Sequence, residues 1–526
     1  MKRACSSYLI AALLFAIPLT ALAAAQPIPA GQKPLLRFAN PVAYDSGGVG
    51  ANSVAIADLN GDGIPDLVVA NVNQNGNSDL GEVAVLLGNG DGTFQPAVAY
   101  STGAYRALSV AVGDLNGDGI PDLVVSNECL NLQGPTCAEH LGAVSVLLGN
   151  GDGTFQPAAT YGIEDYAYTV ALADLRGIGV LDVIVVDINP VGYECAAGVL
   201  LGNGDGTFQP VVDYNSGGFG CQSAAVADLN GDGIPDIVAT NACQSESCQG
   251  DSSVGVLLGN GDGTFQPVVT YDSGSPDSDW VAAGDLRGNG IVDLVVASGI
   301  GFDAVGVLLG NGNGTFQTPV TYVLNGTEGG KVAIGDVNGD GIPDLAVTDE
   351  CPKLKDGACT GSKVIVLLGN GDGTFQPEIL YGSGGFGLSD IAIGDVNGDG
   401  RPDLVVSNFC QGIQYGLCEA PGSAAVLLNE TTYTTKIALT SSPNPSQLNQ
   451  TVTFTATITS TPAVPNGELV TFYNGKTNLG TGATVNGLAS LNTSFSKAKT
   501  YTIKASYPGD TFRKASSGTV RQVVSP

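Results

Sequence analysis

The sequence predicts an all-β chain, a seven-bladed β-propeller closed by an N-terminal strand and followed by a β-sandwich, on three observations. An Asp-rich turn recurs at intervals of about 50 to 60 residues, starting at Asp58, Asp114, Asp174, Asp228, Asp285, Asp336 and Asp395. A Phe followed six residues later by Tyr also recurs seven times, from Phe38/Tyr44 through Phe94/Tyr100, Phe155/Tyr161, Phe208/Tyr214, Phe265/Tyr271 and Phe316/Tyr322 to Phe375/Tyr381. Between these marks, alternating Val/Leu/Ile runs are broken by Gly, Asn and Asp, and no helical period is present.

The chain opens with Lys2 and Arg3, an apolar stretch from Tyr8 to Leu22 and the small residues Ala23, Ala24 and Ala25. Residues 1–25 therefore read as a secretory signal cleaved near Ala23 or Ala25. No Cys follows the apolar run, which argues against a lipoprotein, and no later stretch is long enough to span a bilayer, so no membrane insertion is expected after cleavage.

Residues 26–432 hold the repeats. Each unit has four short strands, A to D: A runs into the Asp-rich turn, B is the DLVV-type run, C the VLLG-type run and D the F-Q-P…Y run. The first D strand, RFANPVAY, precedes any A strand, whereas the last unit stops after C at SAAVLLNE. The N-terminal segment thus fills the outer place of the last blade, and such complementary ends close a ring and remove its sticky edges. From residue 433 to 526 the Gly/Asp motif stops. Thr/Ser-rich alternating strands (TKIALTSS, TVTFTATITS, ELVTFYNG, YTIKASY, TVRQVV) suggest some seven strands of a sandwich.

Composition agrees. Gly is 76 of 526 residues and charged residues are 13 %, against ordinary values of ~7 % and ~25 %. A hydrophobic content of 43 % excludes disorder. The formal charge of −30 would repel phosphate backbones, so nucleic acid is an unexpected partner. Of eleven cysteines, Cys5 leaves with the signal, and the other ten suit an oxidising compartment. Four pairs are local, Cys129/Cys137, Cys243/Cys248, Cys351/Cys359 and Cys410/Cys418, and Cys195/Cys221 is the fifth.

Five of the turns carry oxygen donors at positions 1, 3, 5 and 9, with a main-chain carbonyl at position 7: Asp58, Asn60, Asp62, Ile64 and Asp66; Asp114, Asn116, Asp118, Ile120 and Asp122; Asp228, Asn230, Asp232, Ile234 and Asp236; Asp336, Asn338, Asp340, Ile342 and Asp344; and Asp395, Asn397, Asp399, Arg401 and Asp403. Three carboxylates brought to one tight turn repel each other unless a cation sits among them, and a hard ion taking 6 to 8 oxygens fits. About five structural Ca²⁺ ions are expected. The third turn (Asp174, Arg176, Ile178, Asp182) and the fifth (Asp285, Arg287, Asn289, Asp293) place Arg at position 3, where its guanidinium is expected to replace the ion. The G-N-G-D-G stretches, such as Gly88–Gly92, read as C–D turns.

These loops and the L-L-G-N-G-D-G-T-F-Q hairpins resemble the FG-GAP/VCBS-type repeats, whose seven-bladed propeller also forms the head of integrin α subunits. The likeness runs over residues 32 to 430, without the tandem FG and GAP signatures of the integrin version. It implies calcium in the A–B loops and extracellular recognition. The stretch GELVTFYNGKTNLG…YTIKASYPGD resembles bacterial Ig-like domains of secreted surface proteins, which makes the sandwich Ig-like and implies spacing or adhesion.

In an up-and-down blade the A–B and C–D turns share one face, while the B–C and D–A connections, with all ten mature cysteines, share the other. Long pinned loops on a rigid scaffold suit recognition of an extracellular protein or glycan. The aromatic residues Tyr105, Tyr166, Tyr168, Phe219, Trp280 and Phe386 are the candidate contacts on that face. The expected protein is a secreted or cell-surface binding or adhesion protein and not an enzyme. A polysaccharide-acting lyase or hydrolase and a purely architectural surface protein are the alternatives.

Overall fold

The structure, a computed structural model, describes residues 36–72, 80–133, 136–137, 141–189, 192–244, 252–299, 303–326, 329–350, 361–411, 413–414, 417–418, 421–460 and 463–526. The expected signal segment, residues 1–25, lies outside them.

Seven four-stranded antiparallel units follow one another. In the first, Ala51–Ala57, Asp66–Asn71 and Leu80–Leu86 pair in order with the start of Val98–Gly113. That last strand continues without a break into the second unit, where it pairs with Asp122–Cys129. The inner strands touch in a cycle: Ala51–Ala57, Val98–Gly113, Tyr166–Ala173, Ala224–Ala227, Ser278–Gly284, Gly329–Gly335, Phe386–Gly394 and back to Ala51–Ala57. The sheets are thus blades around an axis. In the last blade the outer strand is Val42–Asp45, antiparallel to Ser423–Leu427 in the register Val42↔Val426 and Tyr44↔Ala424. The chain's leading segment closes the ring, as its unmatched first D strand predicts.

Strand B of every blade is buried over its first six residues, for example Asp66–Asn71 and Asp293–Ser298, because it is flanked by A and C and covered by neighbouring blades. Each blade's Tyr stacks edge-on against the Phe of the following blade. Tyr44 meets Phe94 at 5.4 Å, Tyr214 meets Phe265 at 5.0 Å, and Tyr381 meets Phe38 at 5.1 Å. The cycle is completed by Tyr100–Phe155, Tyr161–Phe208, Tyr271–Phe316 and Tyr322–Phe375.

Two expectations need correction. The D strands begin later than their Phe, which makes only an isolated bridge, Gly88↔Phe94 in the first blade. A proline such as Pro96 follows shortly after and has no N–H to donate, so regular pairing resumes at Val98. The sandwich has eight strands rather than seven. A sheet of Lys436–Ser442, Val452–Thr459 and Leu488–Thr493 faces one of Ser446–Gln447, Ser516–Ser525, Thr500–Tyr507, Leu469–Asn474 and Thr477–Ala483. The additional strand is Ser446–Gln447, two residues that run parallel to the last strand. Val452, Phe454, Phe472, Ile503 and Tyr507 form its core.

Candidate metal loops and recognition face

The Asp-rich turns are held by their own carboxylates. Asp58 Oδ1 accepts hydrogen bonds from the amides of Gly61 (2.8 Å) and Asp62 (3.2 Å), and its Oδ2 accepts one from Gly63 (2.8 Å). Asn60 Oδ1 accepts from the Asp62 amide, and Asp62 Oδ1 from that of Ile64. Gly61 and Gly63 adopt φ of 73° and 81°, a region that side chains resist, so glycine lets the loop wind this tightly. Asp114 and Asp228 repeat the whole pattern, while Asp336 and Asp395 repeat its main contacts.

The ninth position is held from the interior. Asp66 is fully buried and turned inward: Oδ2 accepts from the Leu59 amide (2.9 Å) and Oδ1 from Gly88 (2.7 Å). The latter bond ties the A–B loop to the C–D turn on the same face. Asp122, Asp236, Asp344 and Asp403 are equally buried and equally placed. Among the described residues, no three carboxylates, cysteines or histidines converge on one point. The backbone amides that hold the first and ninth carboxylates use one lone pair of each oxygen, and the second remains for another ligand.

Do the donors fit a metal? Burial pushes Asp344 up to about 8 and Asp403 up to about 6, with two backbone amides opposing the rise and the other loop carboxylates adding to it. Asp66, Asp122 and Asp236 rise from the same cause. Among the described residues no cationic side chain pairs with these five. In the third and fifth blades one does. Arg176 Nη2 lies 2.6 Å from Asp182 Oδ1 and donates to Gly202 O at 2.7 Å, and Arg287 repeats this with Asp293 at 2.7 Å and Gly310 O at 2.8 Å. The guanidinium reaches the ninth carboxylate only, since Asp174 and Asp285 accept backbone amides instead. In the sixth loop Asn338 Oδ1 is buried with no hydrogen-bond partner among the described residues. An all-oxygen donor set with an unmet acceptor and an uncompensated buried carboxylate fits a hard divalent cation.

The G-N-G-D-G turns are self-contained. Thr93 Oγ1 donates to Asp91 Oδ1 at 2.6 Å, and Gly90 and Gly92 take φ of 82° and 81°.

On the opposite face a disulfide joins Cys195 and Cys221. Cys129, Cys243 and Cys410 are disulfide-bonded as well. The side chains of Cys137, Cys248, Cys351, Cys359 and Cys418 lie outside the described residues, as does His140. Three candidate aromatics stand directly across from these cysteines: Tyr105 from Cys129, Phe219 from Cys243 and Phe386 from Cys410. Tyr166 stands across from Ile188, and Tyr168 packs near the Cys195–Cys221 bridge. All six aromatics are half-buried.

Trp280, on the inner strand Ser278–Gly284, differs in having a cation over its ring. Lys331 Nζ lies 4.4 Å from its ring centroid, 3.2 Å from Asp390 Oδ2 and 3.4 Å from Asn52 O. Nearby, Gln222 Nε2 donates to Asp279 Oδ1 at 2.8 Å, and burial, with Asp277 and Glu350 adding to it, pushes Asp279 up to about 8. This axial polar cluster escapes the sequence reading because each member occurs in one blade only, and repetition highlights what blades share.

FG-GAP-like repeats match at residues 58–125, 179–239, 285–347 and 357–406, and a bacterial Ig-like domain (group 3) matches at 439–525. The chain is an FG-GAP repeat protein with a bacterial Ig-like domain at its C-terminus. This FG-GAP repeat protein is 31 % identical over 174 residues to integrin alpha pat-2 of Caenorhabditis elegans, covering 27 % of the chain and 14 % of that relative. It is 29 % identical over 203 residues to integrin alpha-V of Gallus gallus, covering 35 % and 19 %. The chain thus spans under a fifth of these relatives' lengths. Among solved structures, the V. cholerae biofilm matrix protein Bap1 aligns with a TM-score of 0.41 and 15 % identity over 72 % of this chain and 88 % of that one. BBS1N in complex with ARL6DN aligns with 0.45 and 12 % over 76 % and 98 %. No helix among the described residues of the FG-GAP repeat protein is long and apolar enough to cross a membrane.

Proposed function

We propose that this FG-GAP repeat protein is a secreted, calcium-stabilised binding or adhesion protein that recognises an extracellular protein or glycan. The face carrying its B–C and D–A connections does the recognising. The observation that supports this most is the division of labour between faces. One face is committed to Asp-rich loops and C–D turns tied together by bonds such as Gly88 N to Asp66, whereas the other carries the disulfide-bonded, length-variable connections. Similarity to integrin alpha chains supports extracellular binding. In each intact loop the Asp at positions 1, 5 and 9, the Asn at position 3 and the carbonyl at position 7 would hold the ion. It would supply the positive charge that Arg176 and Arg287 supply in their blades.

A glycan array and a pull-down from envelope material, both with the full chain in millimolar calcium, test the reading. Retention that falls at least tenfold in Trp280→Ala, with an unchanged melting temperature, supports it. A blank array together with an empty pull-down refutes it, and turnover of a polysaccharide would favour the enzyme alternative.

A further inference from the structure

The sixth Asp-rich loop is unlike the first, second and fourth, and the difference comes from the Ig-like domain. In the first, second and fourth loops the Asn amide turns outward to the exposed fifth-position Asp, from Asn60 to Asp62 at 3.0 Å, Asn116 to Asp118 at 2.9 Å and Asn230 to Asp232 at 2.9 Å. Asn338 is instead 2 % exposed, with Nδ2 3.3 Å from Asp344 Oδ1 and Oδ1 left without a partner. What covers it is the segment 511–513 of the sandwich. A Cβ placed on Gly339 would lie 2.2 Å from the Phe512 ring, so the ring rests directly on the loop backbone. Arg513, itself 4 % exposed, donates from Nη2 to Gly339 O at 3.2 Å, and Tyr433 OH donates to Asn338 O at 3.1 Å. On the adjoining seventh loop, Arg401 Nη1 donates to Thr511 O at 2.9 Å.

A buried oxygen with no protein donor is satisfied by a trapped water or a cation, and here the other oxygens of the same loop favour the cation. A cation under an aromatic roof leaves only when the roof lifts. By reciprocity, an ion that binds the roofed state better also stabilises docking of the roof. We propose that segment 511–513 is the lid of the sixth loop, so that the ion there exchanges slowest and in turn fastens the Ig-like domain to the propeller. The inference rests on the calcium reading above and adds to it an inequality among sites and a coupling between domains.

The test is stopped-flow release of calcium from the full chain into a fluorescent chelator, with small-angle scattering of the loaded and chelated protein. Five bound ions are expected, four leaving together and one at least tenfold more slowly, and chelation should increase the maximum dimension. Phe512→Ala should move the slow ion into the fast class. Phe512 is outside the sandwich core, so that domain should stay folded. Tyr433→Phe, which removes one hydroxyl, should accelerate the slow phase several-fold and guards against misfolding of the first variant. Release of all five ions in one kinetic class overturns the lid, as does a slow phase untouched by both substitutions. Identical scattering with and without calcium overturns the fastening. Binding of no calcium at all overturns the metal reading itself, and the inference with it.

Discussion

Arg176 Nη2 and Asp182 Oδ1 lie 2.6 Å apart, with the carboxylate fully buried and the arginine side chain 17 % exposed. The same guanidinium also takes the carbonyl of Gly202, so one side chain neutralises the ninth-position Asp and ties the A–B loop to the end of strand C. Arg287 and Asp293 repeat the arrangement two blades on. Among the described residues, the same buried carboxylate is paired with an arginine in two blades and with no cationic side chain in five.

That contrast predicts what removal of the arginine does. Breaking a buried pair leaves a charge without compensation and costs about 3–5 kcal/mol. Arg176→Ala should therefore lower unfolding stability by about 3 kcal/mol, whether calcium or a chelator is present, as measured by urea titration. The double change Arg176→Asn with Ile178→Asp restores the intact pattern of the other loops and should add one bound ion per chain by isothermal titration. An unaltered stoichiometry would show that the arginine does not stand in for metal.

Ring closure makes a separate prediction. Val42–Asp45 pairs with Ser423–Leu427, Tyr44 stacks on Phe94, and Tyr381 stacks on Phe38, so the leading segment carries two of the seven aromatic contacts as well as an outer strand. Truncation before Ser46 would leave an unpaired strand edge, a template for pairing with another chain. The truncated protein should unfold at lower temperature and associate as its concentration rises, whereas the full chain should not. Light scattering across a concentration series separates the two.

Much of this was legible in the sequence, and what was not follows a rule. Repeated features were readable: the seven Asp-rich turns, the Phe and Tyr marks, and the ends that complement each other. The partner of each Tyr was not, because the spacing places Phe and Tyr of one unit too far apart to touch and says nothing of the Phe in the next blade that the ring reaches. The inward turn of Asp66 was missed because it depends on the Gly88 amide of another strand. Lys331 and Asp390 occur once each and so stood out against no pattern. The contact of Arg513 with Gly339 spans 174 residues between two domains, and no local signal announces it.

Chelation gives the broadest prediction. With a dissociation constant of roughly 0.1 mM per site at roughly 1 mM calcium, linkage yields about 1.4 kcal/mol per ion and about 7 kcal/mol for five independent ions. A propeller of roughly 400 residues has a melting entropy of about 0.8 kcal/mol/K, so the midpoint should fall by about 8 °C on chelation. Magnesium should recover only part of the loss, because its strict octahedral preference suits fewer protein oxygens. Differential scanning calorimetry in calcium, magnesium and chelator is the measurement, and equal midpoints would exclude a structural metal.

The final prediction concerns the end of strand B, where neighbouring blades are stapled together. Ser46 Oγ donates to Asn71 Oδ1 at 2.7 Å, Thr102 Oγ1 to Asn127 Oδ1 at 2.7 Å and Ser216 Oγ to Asn241 Oδ1 at 2.6 Å, each across a blade boundary. In the third blade the asparagine is replaced by Asp187, the facing hydroxyl by Ile163, and Asp187 Oδ2 is buried without a partner among the described residues. Burial, with Asp213 and Asp165 adding like charge, pushes Asp187 from 3.8 up to about 8. Its folded value lies above its unfolded one, so between them the folded chain holds a proton that the unfolded chain has released. Stability from this group is therefore intact below pH 4 and is lost as pH rises towards 8. Asp187→Asn removes the titration while keeping the shape. It should match the parent protein near pH 4 and exceed it by on the order of 2 kcal/mol near pH 8. Asp279 titrates in the same direction and remains, so the overall pH dependence should flatten without vanishing. Urea unfolding at the two pH values decides the matter: a variant whose advantage is the same at both would mean that Asp187 is charged in the fold throughout, paired with something other than a proton.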